Sequence, residues 1–160
     1  MKLKTLFAVA AATLLTACLG DATGSGTVTI PPLVALPAGT QIVTTQSGLQ
    51  YADITVGSGN QAAAGKQVAV HYTGWLSTGP GFDTSSGRSP LTFTIGGHQL
   101  LAAFEEGVIG MRVGGKRRLI LKPELAYGAN DIKDQTTGKV IIPANSTIVF
   151  DISLVALQAD

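Results

Sequence analysis

The feature that most restricts this chain is its punctuation. Between Ser47 and Leu157 the apolar residues come in short runs at period two, and turn residues, glycine above all, separate the runs. Successive side chains on a strand point to opposite faces, so period two marks a half-buried strand. Leu49 to Val56 is such a run, ending at Gly57-Ser58-Gly59. Gln67 to Leu76 carries Val68, Val70 and Tyr72 and is followed by Gly79-Pro80-Gly81. Leu91 to Ile95 stops at Gly96-Gly97, and Lys116 to Leu121 follows Gly114-Gly115. Thr147 to Leu157 puts Ile148, Phe150, Ile152 and Leu154 on one face. The period changes at Leu100, Leu101, Phe104 and Val108, whose spacing predicts an amphipathic helix over His98 to Val108, without a Ser, Thr, Asp or Asn cap. Lys122 to Ser146, rich in Gly, Asp, Asn and Thr, reads as a long loop. The single apolar face of so short a helix has to be buried against the sheet, which gives an antiparallel α+β domain.

The N-terminal segment obeys different rules. A basic start, Met1-Lys2-Leu3-Lys4, precedes an apolar run from Leu6 to Leu15 that is too short to span ~30 Å of hydrocarbon. With small residues following, it reads as a secretory signal over residues 1–17. Leu15-Thr16-Ala17-Cys18 resembles the bacterial lipobox, which implies that Cys18 carries the lipid and becomes the mature N-terminus. Cys18 is the only cysteine, so no intramolecular disulfide can form. The expected location is the cell envelope, as a membrane-anchored lipoprotein. In a host with two membranes, Leu19 after the cysteine permits the outer one, facing the periplasm. From Leu19 to about Thr45, Gly, Thr, Ser, Ala and the prolines Pro31, Pro32 and Pro37 read as a tether, which at ~5–6 Å × √n reaches ~25–30 Å. The expected organisation is thus residues 1–17 signal, 18–45 lipidated N-terminus and tether, and 46–160 one folded domain.

Charge excludes several functions. Losing Lys2 and Lys4 with the signal takes the basic count from 11 to 9 against 10 acids, a net charge of −1, and no basic stripe suits nucleic acid. The run Lys116-Arg117-Arg118 lies in an alternating segment that splits it between two faces, and it reads as solvated charge. His71 and His98 fall on different elements, so no metal-ligand cluster is expected. Gly57-Ser58-Gly59-Asn60-Gln61-Ala62 superficially fits a dinucleotide fingerprint, but the strand beginning at Gln67 leaves no room for the helix such a site requires.

The order of motifs from Ser47 to Leu157 resembles the FKBP family of peptidyl-prolyl cis-trans isomerases. His71-Tyr72-Thr73-Gly74-Trp75-Leu76 is followed by Phe82-Asp83-Thr84-Ser85, Pro90-Leu91-Thr92-Phe93 and Phe104-Glu105-Glu106-Gly107-Val108. Met111-Arg112-Val113-Gly114, Ala126-Tyr127-Gly128, Ile141-Ile142-Pro143-Ala144 and Ile148-Val149-Phe150-Asp151 complete the set. The resemblance implies a curved antiparallel sheet, a half-barrel, wrapped around one short helix, and a monomer. It implies an apolar pocket for a prolyl ring, with Asp83, Tyr127 and Phe150 as catalytic residues. Tyr72, Phe82, Arg88, Leu91, Leu100, Leu101, Phe104 and Ile142 would bind substrate, with Arg88 paired to Asp83. Leu91 stands where the family often has Phe, and Phe104 where its best-known members carry Trp. Implied partners are proline-containing polypeptides and the macrolide inhibitors of the family. The segment Asn130 to Lys139 replaces a shorter flap of the compact family form and is expected to tune substrate choice.

These residue types suit that chemistry. Amide rotation faces a barrier of ~18–20 kcal/mol, and X-Pro bonds exchange over tens to hundreds of seconds. A twisted amide has lost conjugation and charge separation, so an apolar wall such as Phe82, Phe104 and Phe150 disfavours the planar ground state more. Tyr127 can donate to a substrate carbonyl; Asp83 either orients Tyr72 and Arg88 or faces the rotating carbonyl. No nucleophile, general base, metal or cofactor is required. Without the resemblance, the same phenylalanines read as core, as Phe93 does, and Trp75 packs near a sheet edge away from the pocket. A binding module for proline segments and a chaperone with the same fold are the alternatives to an enzyme.

Overall fold

The structure, a computed structural model, describes residues 29–158; the signal and Cys18 lie outside the described residues. Among the described residues nine strands and one α-helix follow in order: β1 (Val43–Thr44), β2 (Gln50–Thr55), β3 (Gln67–Leu76), β4 (Gly81–Thr84), β5 (Leu91–Thr94), α1 (Ala102–Val108), β6 (Lys116–Leu121), β7 (Ile132–Lys133), β8 (Val140–Ile142) and β9 (Ile148–Leu157). The main sheet is antiparallel in the order β1-β2-β6-β9-β3-β4, with β5 paired to the first half of β3. Long β3 and β9 form its centre, paired from Val68↔Leu157 to Leu76↔Ile148. The sheet remains open and wraps the helix, as the motif order implies.

One face of the sheet and the apolar face of α1 make the core. Val68, Val70 and Tyr72 of β3, Leu119 and Leu121 of β6, and Ile148, Phe150, Ile152 and Leu154 of β9 meet Phe104 and Val108. The helix sits so close to β6 that a Cβ at Gly107 would lie 2.4 Å from Leu119 Cδ1. That proximity explains a glycine in a helix interior, where it costs ~0.5–1 kcal/mol relative to Ala.

Four expectations need correcting. The helix begins at Ala102, with Leu101 as its N-cap, so residues 98–101 belong to the preceding turn. His98 there has φ 55, which no α-helix accommodates. The segment from Lys122 to Ser146 is not structureless: it holds a 3-10 turn at Pro123–Leu125 and the β7–β8 hairpin, pairing Ile132↔Ile142 and Lys133↔Val140. Both of these strands are too short for a period to show.

The third correction concerns Lys116-Arg117-Arg118. The run does split between two faces, but Arg117 and Arg118 are buried, at 6% and 5% exposed. Arg117 points toward the core side, grips Asp53 with Nε at 2.7 Å and Nη2 at 3.0 Å, and caps the end of α1 by donating to the carbonyls of Gly107 and Ile109. Its guanidinium also lies 4.2 Å from the centre of the Tyr51 ring. Arg118, on the outer face, donates to both carboxylate oxygens of Asp151 at 2.6 and 2.9 Å. Lys116 alone fits the solvated reading, its side chain 45% exposed and 3.5 Å from Asp151.

The fourth concerns the expected tether, whose described part is seated on the domain. Ile30 packs on Gly81 of β4, the Pro31 carbonyl accepts from Trp75 Nε1 of β3 at 2.7 Å, and the Val34 carbonyl accepts from Arg118 Nη1 of β6 at 2.6 Å. Val43 and Thr44 then pair with β2. These contacts take residues 30–44 across the outer face as a strap, from one edge of the sheet to the other. Trp75, beneath it, is 4% exposed and faces away from the helix.

Candidate active site

The site grows from alternation in β3. Val70, Tyr72 and Gly74 face the helix, and Gly74 pairs with Phe150 of β9 and Asp83 of β4. A Cβ at Gly74 would lie 2.7 Å from both Phe150 Cε1 and Phe82 Cζ, so this glycine makes room for two rings above β3. Phe82 meets Phe150 edge to face at 5.6 Å and 83°. Phe104 from α1 meets Phe150 at 5.2 Å and 90°, and Tyr72 meets Phe104 at 6.0 Å and 88°. Perpendicular packing puts the positive edge of one ring on the negative face of the next. Phe93 tilts against Phe104 from behind, as core.

Phe104 and Phe150 are 0% and 1% exposed and form a floor. The half-buried side chains around it are Phe82, Leu91, Leu100, Leu101 and Tyr127, with Ile142 buried on the β8 side. Of the residues expected from the motifs, Phe82, Leu91, Leu100, Leu101 and Tyr127 pack on the core that holds Phe104, Phe150 and Ile142, Arg88 pairs with Asp83, and Cys18 is not described. Phe82 and Tyr127 are half-buried, whereas Phe104 and Phe150 are buried.

Asp83 is the polar hub. Its carboxylate is buried and engaged on both oxygens: Tyr72 Oη donates to Oδ2 at 2.5 Å, while the Thr84 amide and Arg88 Nη2 donate to Oδ1 at 2.8 and 3.1 Å. Arg88 also donates to the Thr84 carbonyl. Of the two arrangements open from sequence, the structure displays the one in which Asp83 orients Tyr72 and Arg88. Burial, then the bond to Asp83, pushes the Tyr72 hydroxyl well above the usual tyrosine range. Burial, then the nearby Asp83 charge, pushes Tyr127 up to about 12. Both hydroxyls therefore remain protonated donors near neutrality. That of Tyr72 is spent on Asp83, whereas among the described residues that of Tyr127 has no partner.

Two other hollows open away from the Phe104–Phe150 floor, the second of them sharing Tyr72 with the cluster. One, of about 60 Å³, sits between Asp53, Arg117 and Met111. A groove of about 360 Å³ opens on the outer face beside Pro31, with His71, Thr73, Lys116 and Ser153 in its wall. The groove is also lined by Tyr72 and Trp75, but Phe82, Phe104, Phe150 and Tyr127 do not border it. Among the described residues no group of three or more His, Cys, Asp or Glu could hold a metal ion. No described helix is long and apolar enough to cross a membrane.

Residues 58–155 match the family described as FKBP-type peptidyl-prolyl cis-trans isomerase. The chain is 41% identical over 108 residues to an FK506-binding protein of Neisseria meningitidis serogroup B, covering 67% of this chain and 94% of that one.

The chain belongs to the FKBP family.

A Dictyostelium discoideum relative, FK506-binding protein 4, is 44% identical over 72% of this chain, which spans only 30% of its length. Among solved structures, AtFKBP13 superposes with a TM-score of 0.66 at 35% identity, covering 74% of this chain and 99% of its own. FkpA from Escherichia coli gives 0.60 at 36% identity, over 73% of this chain and 51% of its own. The FKBP match begins at residue 58, so the strap lies outside it.

Sequence reasoning assigned no role to two residues that shape the site. Ser85 receives the Tyr72 amide on its hydroxyl at 2.8 Å and contacts His71 Nδ1 at 3.1 Å, fixing the chain where Asp83 is held. Glu105 is buried in the first turn of α1. In the sequence it stood only within the run Phe104-Glu105-Glu106-Gly107-Val108, in the second half of the expected helix.

Proposed function

We propose that this FKBP domain accelerates cis-trans isomerisation of X-Pro bonds in exported polypeptides, held at the bacterial envelope by lipid on Cys18. The observation that carries the catalytic part is the free Tyr127 hydroxyl at the rim of a floor made by Phe104 and Phe150. A prolyl ring seated on that floor leaves water, and Tyr127 can donate to a flanking carbonyl of the peptide. Rotation about the C–N bond is then favoured because the less polar, twisted amide suits the apolar walls better than the planar one does. Asp83 holds Tyr72 and Arg88 in place. The same rim offers a seat to macrolides of the FK506 kind.

The anchoring part rests on the lipobox-like Leu15-Thr16-Ala17-Cys18. With the strap seated on the domain, ten residues, Leu19 to Val28, separate Cys18 from Thr29. Lipid on Cys18 would keep the domain at the bilayer, where emerging exported chains are met. Three measurements test the reading. Mass spectrometry of the mature N-terminus should show acyl chains on Cys18, and Cys18→Ala should leave the membrane fraction. The soluble domain should speed refolding of a proline-limited protein. An unmodified Cys18 would refute the anchor, and binding of the client without acceleration would replace the enzyme by a proline-segment binding module.

A further inference from the structure

We propose that Glu105 is a positioning residue of the isomerase site: its carboxylate holds the turn that presents Leu100 and Leu101 to the substrate. This rests on the isomerase reading and assigns a part of the binding rim.

Glu105 is 3% exposed, and among the described residues no lysine or arginine pairs with it. A buried carboxylate without a cation is costly unless hydrogen bonds satisfy it. Here three backbone amides do so, all from one turn. Gly96 N and His98 N donate to Oε2 at 2.8 and 3.2 Å, and Leu100 N donates to Oε1 at 2.9 Å. Hydrogen bonds to an ionised acceptor are roughly twice as strong as neutral ones. The position in the first turn of α1 adds the favourable end of the helix dipole.

The turn needs this support. It lies between β5 and α1 in no regular ladder, and it carries His98 in the left-handed region at φ 55, which is uncommon for a non-glycine residue. Its own bonds are few: Gly97 N to the Thr94 carbonyl and Thr94 N to the Gln99 side chain, with the Leu101 carbonyl accepting from Phe104 N and Glu105 N where α1 begins. At its far end Leu100 and Leu101 pack against the core that includes Phe104 and Phe150. If filling space were the whole role, an apolar side chain would serve at lower cost. The carboxylate instead reads the turn amide by amide and fixes where the two leucines stand.

The test compares Glu105→Gln with Glu106→Gln, whose carboxylate takes a bond from the Ser47 hydroxyl at the surface. A proline tetrapeptide assay on the wild-type domain must first show acceleration; its absence would count against the isomerase reading and not against Glu105. Glu105→Gln keeps one acceptor oxygen and loses the other. It should raise KM about 3- to 10-fold with kcat within about twofold, because the rim binds the planar and twisted states alike. Amide exchange at Gly96, His98 and Leu100 should quicken in parallel, while Glu106→Gln changes neither. If those amides loosen and KM stays at the wild-type value, the proposal is wrong. Should Glu105→Gln fail to fold, Gly96→Ala decides. Gly96 has φ +84 with open space around it, so alanine there strains the same turn and leaves the carboxylate in place. It should give the same KM-weighted loss, and an unchanged KM in that variant would overturn the assignment.

Discussion

Tyr127 and Asp83 sit within one electrostatic environment yet do different work. The Tyr127 hydroxyl is unspent, so Tyr127→Phe removes one donated bond and almost no volume. Its kcat/KM should fall about 2- to 12-fold, the equivalent of ~0.5–1.5 kcal/mol. Asp83→Ala should cost more, since Tyr72 and Arg88 lose their shared acceptor at once; equal losses in a tetrapeptide assay would show that Asp83 organises nothing. The pH profile is a second check. Tyr127 is raised from 10.0 to about 12, so its proton is kept in the folded state where an unfolded chain has begun to lose it. The resulting stabilisation is complete below pH 10 and is lost as pH rises through about 12. Accordingly kcat/KM should be flat from pH 6 to about 9.5 for a substrate without ionisable groups. A fall centred near 10 would mean the hydroxyl is less buried than described. The rings and Asp83 were legible because the motif order carries them; Glu105 was not, because its partners are backbone amides that no side-chain pattern records.

Elements were legible in proportion to their length. Ten-residue β3 and β9 show five repeats of period two, and β3 has the bounds the pattern predicts. Leu100 and Leu101 fit helical spacing although they precede α1, since apolar side chains on a turn can point at the same core as those on a helix. The β7–β8 hairpin escaped notice because pairing of two or three residues leaves no period. Within it the tip and the base differ. Ile132, Ile141 and Ile142 pack on the core, while at the tip Asp134 Oδ1 accepts from the Thr136 and Thr137 amides in open solvent. Those two bonds hold the exposed Asp134 carboxyl below the usual range. Replacing residues 134–138 with a two-residue turn should keep Tm within about 4 °C, as surface changes do, and alter the ranking of residues tolerated before proline. A loss of fold on trimming would make the tip structural, and an unchanged ranking would remove it from substrate choice.

At the scale of the whole molecule, the strap changes where the domain begins. Composition marked residues 19–45 as tether because Gly, Ser, Thr and Pro carry no period, yet Pro31 and Val34 act through their carbonyls, which every residue possesses. Their partners, Trp75 and Arg118, are 44 and 84 positions away in sequence. The burial of Arg118 was hidden for the same reason: alternation gives the face of a strand, not what later covers it. A chain starting at Ala35 should therefore fold but melt roughly 5–10 °C lower, having lost two bonds of ~1–3 kcal/mol each, partly replaced by water. An unchanged Tm in thermal denaturation would mean the strap rests on the sheet without stabilising it.

The central claim is that the Phe82–Phe104–Phe150 site lowers the barrier to X-Pro rotation as well as binding proline. NMR exchange spectroscopy on an X-Pro peptide at equilibrium separates the two, since it reads the cis-trans rate without a coupled protease. With a catalytic amount of the domain, cross-peaks between cis and trans forms should appear within seconds, their ratio unchanged, and Phe82→Ala should suppress them. Peptide resonances that shift on binding while cis and trans exchange no faster than in free solution would contradict the account.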